Sequence, residues 1–241
     1  MTEPLLQVDR LDAGYGDFQA LFGIDLHVAE AETVSIIGAN GAGKSTLLKA
    51  IVGLVQPMRG DIRYEGASIA TTAAHKRVAR GIALVPEGRR IFPSLSVEEN
   101  IVIGGDVGRP GPWTKQRVLE AFPLLTRLLN RSGEGLSGGE RQTLAIARAL
   151  MANPRLLLLD EIAGGLTEAE VLELVETIKQ IRTTGVAIVW IEHIVHALLR
   201  VVDRMMAVDA GRKLIEGDPQ AVMASDEVRS VYLGDDIEDE S

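Results

Sequence analysis

Apolar side chains recur along the chain in two patterns, and each pattern predicts a different kind of β-strand. Residues 5–11 and 24–28 alternate apolar and polar positions, as in an antiparallel sheet with one buried face. Later apolar runs are continuous, which is typical of parallel strands buried on both faces: 33–37, 82–85, 156–159 and 186–191. The chain is therefore predicted to combine an N-terminal antiparallel sheet with a parallel sheet.

Segments between these apolar runs carry the helical repeat. The clearest is 167–182, where Thr167 and Glu170 form a capping-box pattern at the start of the helix. Five apolar residues then fall on one stripe of that helix: Val171, Leu174, Val175, Ile178 and Ile181. Alternation of such helices with apolar strands predicts an α/β fold.

A second helical region lies in the middle of the chain. Ser96 and Glu99 form another capping-box pattern, and Pro123 interrupts the helical pattern of 114–129. Residues 96–149 are thus predicted to form a helical subdomain inserted into a single domain. The remaining parts are expected to be the core with the antiparallel β-subdomain and an acidic, solvated tail: 5–95 with 150–233, and 234–241.

Composition and charge exclude several classes of protein. Among 241 residues there is no cysteine, so disulfides, thiolate nucleophiles and Cys-ligated metals are excluded. A net charge of −9 argues against a protein that binds nucleic acid over its whole surface. No apolar run approaches the roughly 18 residues of a membrane span, and the first residues do not resemble a secretory signal. A cytoplasmic protein is expected.

The strongest chemical signal is a glycine-rich segment of the pattern GxxxxGK[ST]. It follows the apolar run 33–37 and opens a helical pattern, which is the context of a phosphate-binding loop. Glycines let backbone N–H groups approach phosphate oxygens. Lys44 is expected to bridge the β and γ phosphates of ATP, and the Ser45 hydroxyl to bind Mg²⁺. The candidate phosphate-binding residues are Gly38, Ala39, Asn40, Gly41, Ala42, Gly43, Lys44, Ser45 and Thr46.

Two carboxylates follow a later apolar strand. Asp160 and Glu161 come directly after 156–159, the arrangement of a Walker B motif. Asp160 is expected to hold Mg²⁺ through water, and Glu161 to polarise the water that attacks the phosphate. Together with the phosphate loop, this motif predicts nucleotide hydrolysis.

A third motif, 136–140, contains Ser137, Gly138 and Gly139 at the start of a predicted helix 140–151. Small residues at a helix N-terminus form an anion-binding site. One nucleotide does not need two such sites from the same chain. We therefore expect this motif to close over the γ-phosphate of a nucleotide that is held by a second copy of the chain.

With these motifs in this order, the sequence resembles the ATP-binding cassette (ABC) family over about residues 5–233. The resemblance implies that Tyr15 stacks on adenine, that Glu161 is the catalytic base and that His193 contacts the γ-phosphate. It also implies a switch segment at residues 85–90, where Glu87 would bind Mg²⁺. His196 is expected to be a surface residue.

Four positions depart from the family pattern. Glu87 stands where most of the family has Gln, and a carboxylate there can bind Mg²⁺ but repels phosphate when the metal is absent. Ile162 and Ala163 stand where Pro and Ser are usual, so one hydrogen bond between two cassettes would be lost. Residues 136–140 correspond to the signature of the family, and Glu140, at its last position, is a common variant.

Within the family, residues 85–100 are similar to the cassettes of branched-chain amino acid importers, with urea and amide importers as close relatives. The similarity implies an ATPase at the cytoplasmic face of a membrane, paired with a second cassette. Its further partners would be membrane permease subunits and, through them, a substrate-binding protein. Two alternatives are a soluble ABC ATPase that acts on ribosomes or nucleic acid, and a P-loop kinase or switch protein, which leaves 136–140 without a purpose.

Overall fold

The computed structural model of the protein describes residues 3–193 and 199–234. Its β-strands are β1 Leu6–Tyr15, β2 Phe18–Val28, β3 Thr33–Ile37, β4 Pro57–Tyr64, β5 Ala67–Ser68, β6 Ile82–Val85, β7 Leu156–Asp160, β8 Ala187–Ile191, β9 Arg204–Asp209 and β10 Arg212–Gly217. Its helices are α1 Lys44–Ile51, α2 Ala74–Ala79, α3 Val97–Ile103, α4 Lys115–Ala121, α5 Pro123–Thr126, α6 Gly138–Leu150, α7 Glu168–Arg182, α8 Pro219–Ala224 and α9 Asp226–Gly234.

The strands form two sheets. The N-terminal sheet is antiparallel, with the order β2-β1-β4-β5. The second has the order β10-β9-β3-β8-β7-β6, and all neighbours pair in parallel except the edge strand β10. Helices α3 to α6 are inserted in the sequence between the paired strands β6 and β7. The fold class predicted from the sequence is confirmed.

Both faces of the parallel sheet are covered. Alternate residues of β7 enter different clusters: Leu157 and Leu159 pack with the helices, whereas Leu156 and Leu158 pack with α1 and the antiparallel sheet. All five residues of β3, β7 and β8 are buried. This double burial explains why these strands appear in the sequence as continuous apolar runs.

The bounds of β3 and β6 are those predicted, and both predicted capping boxes form, at Ser96 and Thr167. Strand β1 runs beyond the predicted 5–11. The register of β1 shifts after Val8, and Arg10 has a φ of 43°, so a bulge interrupts the alternation on which the prediction relied. His196 and residues 235–241 lie outside the described residues.

Candidate nucleotide-binding site

The phosphate loop joins β3 to α1, so the glycine-rich segment lies at the carboxyl end of the central parallel strand. Gly43 has a φ of 96° and precedes α1 directly. A Cβ atom there would lie 2.7 Å from a side-chain carbon of Leu21, so both conformation and space require glycine. Among the described residues, no side chain caps α1. The helix N-terminus is thus available to an anionic ligand.

Lys44 is buried in this loop. Its Nζ donates hydrogen bonds to the carbonyl oxygens of Gly38, at 2.8 Å, and Ala39, at 2.9 Å. The same atom lies 3.8 Å from Oε1 of Glu161. Burial lowers the pKa of the Lys44 amine, and the carboxylates of Glu161 and Asp160 oppose this shift. The two predicted charged residues are therefore brought together.

Ser45 and Asp160 are in direct contact at the start of α1 and the end of β7. The Ser45 hydroxyl donates to Oδ1 of Asp160 at 2.8 Å, and the Asp160 side chain is buried. Burial raises the pKa of the Asp160 carboxyl, while the Ser45 hydrogen bond opposes the rise and the charges of Glu161 and Glu87 add to it.

These oxygens fit the donor chemistry of Mg²⁺, which prefers hard oxygen ligands and takes few of them from the protein at nucleotide sites. The described residues contain no group of three or more His, Cys, Asp or Glu side chains placed to hold a metal. A complete metal site would therefore need nucleotide oxygens and water besides Ser45 and Asp160.

Glu161 and His193 form the next contact. Nε2 of His193 lies 2.9 Å from Oε1 of Glu161. Glu161 follows β7 in a left-handed conformation, with a φ of 49°, and its N–H donates to the carbonyl of Ile191. A non-glycine residue in this conformation costs roughly 1–3 kcal/mol, and such strain is concentrated at functional sites. Glu161 thus faces both Lys44 and His193.

A residue that sequence reasoning missed lies beside them. The carboxylate of Glu192 is buried and accepts hydrogen bonds from the N–H groups of Ala163, at 2.5 Å, and His193, at 3.2 Å. Burial raises the pKa of this carboxyl. Ile162 and Ala163, two of the departures from the family pattern, are also buried. A charged residue directly after an apolar strand was the available signal for Glu192.

The signature begins α6. Ser137 is the N-cap residue; its side chain accepts from the N–H of Glu140, and the Glu140 carboxylate accepts from the N–H of Ser137 at 2.7 Å. Helix α6 starts at Gly138, two residues before the predicted start, because Ser137 caps it. Gly138 and Gly139 therefore lie in the first turn of the helix.

Tyr15 ends β1 on the side of the phosphate loop. Its hydroxyl lies 3.4 Å from Oγ1 of Thr46, and the side chain is 48% exposed. An exposed aromatic ring beside the first turn of α1 has the position and freedom to stack on a flat ligand.

A cavity of about 790 Å³ adjoins the hydrolytic residues. It is lined by Glu161 and His193, the switch segment and the β7–α7 loop, by which we mean residues 162–166. A phosphate loop, an acidic strand end and a glutamate–histidine pair on a parallel sheet together define a P-loop nucleotide hydrolase.

Comparison with known proteins identifies the family. Residues 21–164 match the family described as ABC transporter. The high-affinity branched-chain amino acid transport ATP-binding protein BraG of Pseudomonas aeruginosa is 40% identical over 95% of this chain and 100% of its own. The lipopolysaccharide export system ATP-binding protein LptB of Haemophilus influenzae is 33% identical over 96% and 98%. The chain belongs to the ABC transporter family, as an ATP-binding subunit.

A solved structure supports the same conclusion. The ADP conformation of MJ1267, an ATP-binding cassette of an ABC transporter, superposes with a TM-score of 0.86 at 25% identity, covering 97% of this chain and 100% of that one. Cassettes of this family bind and hydrolyse ATP and work with membrane permease subunits. Among residues 3–193 and 199–234, no helix has both the length and the apolar character that crossing a bilayer requires.

Proposed function

We propose that the chain is the ATP-hydrolysing subunit of an importer for branched-chain amino acids. The similarity to BraG supports this proposal, because it extends over nearly the whole of both chains and exceeds the similarity to the export protein LptB. A cassette of a urea or amide importer and a soluble ABC ATPase are the alternatives.

The observation that carries the hydrolytic proposal is the contact set around Glu161, which lies between Lys44 and His193. Residues 38–46 would surround the phosphates of ATP, and Tyr15 would stack on the adenine. Lys44 would leave the carbonyls of Gly38 and Ala39 to bridge the β and γ phosphates, because an anion of high charge is a stronger acceptor.

Ser45, Asp160 and Glu87 would hold Mg²⁺, which neutralises phosphate charge when it is bound. Hydrolysis itself is assigned to the chain's own residues. Glu161 would accept a proton from a water molecule while the oxygen of that water forms a bond to the γ-phosphorus. The bond between the γ-phosphorus and the β–γ bridging oxygen would break at the same time, which releases ADP and phosphate. His193 would orient Glu161 and contact the γ-phosphate.

The signature is assigned to a second cassette. Residues 96–149 would act as a helical subdomain that presents Ser137, Gly138 and Gly139 to the γ-phosphate bound by the partner. ATP would join the two cassettes, and its hydrolysis would release them.

A groove of about 580 Å³ supports a contact with the membrane permease subunits. It is lined by Leu54, Glu87 and Arg90, and the side chain of Leu54 is 64% exposed. An exposed apolar side chain in a groove rimmed by charged residues suits contact with another protein. Arg90 would pair with acidic groups or with helix C-terminal carbonyls on the permease. The permease would in turn contact a substrate-binding protein.

Uptake in reconstituted vesicles tests the function. The cassette would be co-purified with its permease and binding-protein partners, and ATP-dependent uptake of radiolabelled leucine would be measured beside urea and an unrelated sugar. The Glu161→Gln variant is the matched control, because it should bind ATP without sustaining uptake. Uptake of urea in place of leucine would select the alternative importer, and a complex that never forms with any permease would reject transport.

A further inference from the structure

Arg89 is turned towards the interior of the catalytic cavity by its backbone. Gly88 and Arg89 both have left-handed conformations, with φ values of 81° and 55°. Only one of these two residues is a glycine, so the turn holds Arg89 in a conformation that its side chain disfavours. Glu87, assigned above to the metal, immediately precedes this turn.

The guanidinium group of Arg89 lies between two functional segments. Its Nη2 donates to the carbonyl oxygen of Gly164 at 2.7 Å, within the β7–α7 loop. A Cβ atom on Gly138, in the signature, would lie only 2.8 Å from its Nη1. The guanidinium therefore packs directly against the first glycine of the signature while it binds the loop that follows the catalytic glutamate.

The opposite side of that loop is already fixed. The buried carboxylate of Glu192 accepts from the N–H of Ala163, so the loop is held from the core by Glu192 and from the cavity by Arg89. Gly164 and Gly165 are both exposed, and two successive glycines have little conformational preference of their own. The contact with Arg89 thus adds a restraint on the cavity side of the loop, at Gly164.

We propose that Arg89 is a positioning residue for ATP hydrolysis, one that sets the placement of the signature and of the β7–α7 loop from the switch segment. The inference rests on the proposed function, because it takes the signature to act on the partner's nucleotide. A movement of Glu87 towards bound nucleotide would be transmitted through Arg89 to Gly138 and Gly164. Each chain would thereby align the residues that it offers to its partner only when its own site is filled.

The test uses Arg89→Ala and Arg89→Lys in the full chain, with Arg127→Ala as the charge-matched control, since Arg127 is exposed and has no place in the site. Binding of a fluorescent ATP analogue should be unchanged within about twofold. The kcat of Arg89→Ala should fall roughly 10- to 100-fold, the effect of a small misplacement of reacting groups. Arg89→Lys should recover little, because an ammonium group cannot donate to Gly164 and lie flat against Gly138 together.

ATP-driven association gives a readout that a purely structural role would not change. In the Glu161→Gln background, adding Arg89→Ala should raise the protein concentration needed for half-maximal dimer about tenfold, with an unaltered Tm. Normal kcat in Arg89→Ala, full recovery in Arg89→Lys, or a parallel loss of nucleotide binding and Tm would overturn the positioning role. If Glu161→Gln with Arg89 intact fails to associate, the proposed dimer is wrong, and the kcat of Arg89→Ala against Arg127→Ala still decides the role of Arg89 towards the loop.

Discussion

Helices α1 and α6 both begin at glycine-containing turns, yet their N-termini are completed in opposite ways. Helix α1 starts after Gly43 without a side-chain cap from the described residues, and its first residue is the buried Lys44. Helix α6 starts with a complete capping box between Ser137 and Glu140. Exposed N–H groups at a helix start attract an anion, and a carboxylate in the first turn already satisfies part of that attraction.

The difference gives a reason why, under the proposed function, α1 binds phosphate alone whereas α6 does not. At α1 the protein supplies a cation and leaves the helix N-terminus to the ligand. At α6 the carboxylate of Glu140 already lies at the helix N-terminus, so a phosphate there would meet negative charge. A phosphate at α6 must therefore be held mainly by groups from elsewhere, which agrees with its proposed role towards a second cassette.

Lys44→Ala should have the largest effect, because it removes the cation that distinguishes α1 from α6. ATP hydrolysis is expected to be abolished while folding survives, since the loop backbone remains. Steady-state phosphate release and circular dichroism check the two parts of this expectation. Lys76→Ala, at an exposed lysine of α2, is the control. Normal turnover by Lys44→Ala would place the phosphate site elsewhere.

Glu161→Gln should slow hydrolysis by roughly 10²- to 10⁴-fold, the contribution of a general base, without preventing ATP binding. An ATP-bound dimer should then accumulate, joining the α1 site of one copy to the α6 site of the other. Light scattering with ATP and Mg²⁺ measures the mass. A variant that remains monomeric at high concentration, even with a partner cassette supplied, contradicts the proposed dimer.

Ser137→Ala tests the capped helix start directly. Loss of the N-cap should lower the free energy of unfolding by about 1 kcal/mol. Loss of a hydroxyl donor to the partner's phosphate should also weaken ATP-driven association roughly tenfold. Ser96→Ala is a matched control, because Ser96 caps α3 with the same capping box outside the signature. Equal association by both variants would show that Ser137 has only a structural role.

Glu99→Gln should have the smallest effect on stability. It tests a capping box that lies outside the nucleotide-binding residues. The pKa of the Glu99 carboxyl is lowered mainly by the hydrogen bond that it accepts from the backbone N–H of Ser96. A lowered pKa in the folded state means that stabilisation is present above the ordinary carboxyl pKa and is lost as the pH falls through the lowered value. The difference in Tm between the wild type and Glu99→Gln should therefore shrink on acidification. A difference that is constant with pH would assign the effect to packing.

Local patterns in the sequence predicted the parts of the molecule that local interactions determine. The bounds of β3 and the capping boxes follow from burial on both faces and from neighbouring polar groups. The prediction omits strand β9, although residues 205–208 are a continuous and buried apolar run like those of β3 and β7. The inward direction of Arg89 depends on two successive left-handed residues, and no periodicity encodes that.

The pairing of β3 also constrains the order in which the chain can fold as it leaves the ribosome. Strand β3 emerges early, but both of its neighbours in the sheet, β8 and β9, are synthesised about 150 residues or more later in the chain. The antiparallel pair β1 and β2 can form at once, whereas β3 must wait with its apolar faces uncovered. A nascent chain that stalls before β9 leaves unpaired one edge of the strand that precedes the phosphate loop, and unpaired apolar strands promote aggregation. The sheet edge that supports the phosphate loop is therefore complete only after β9 has emerged.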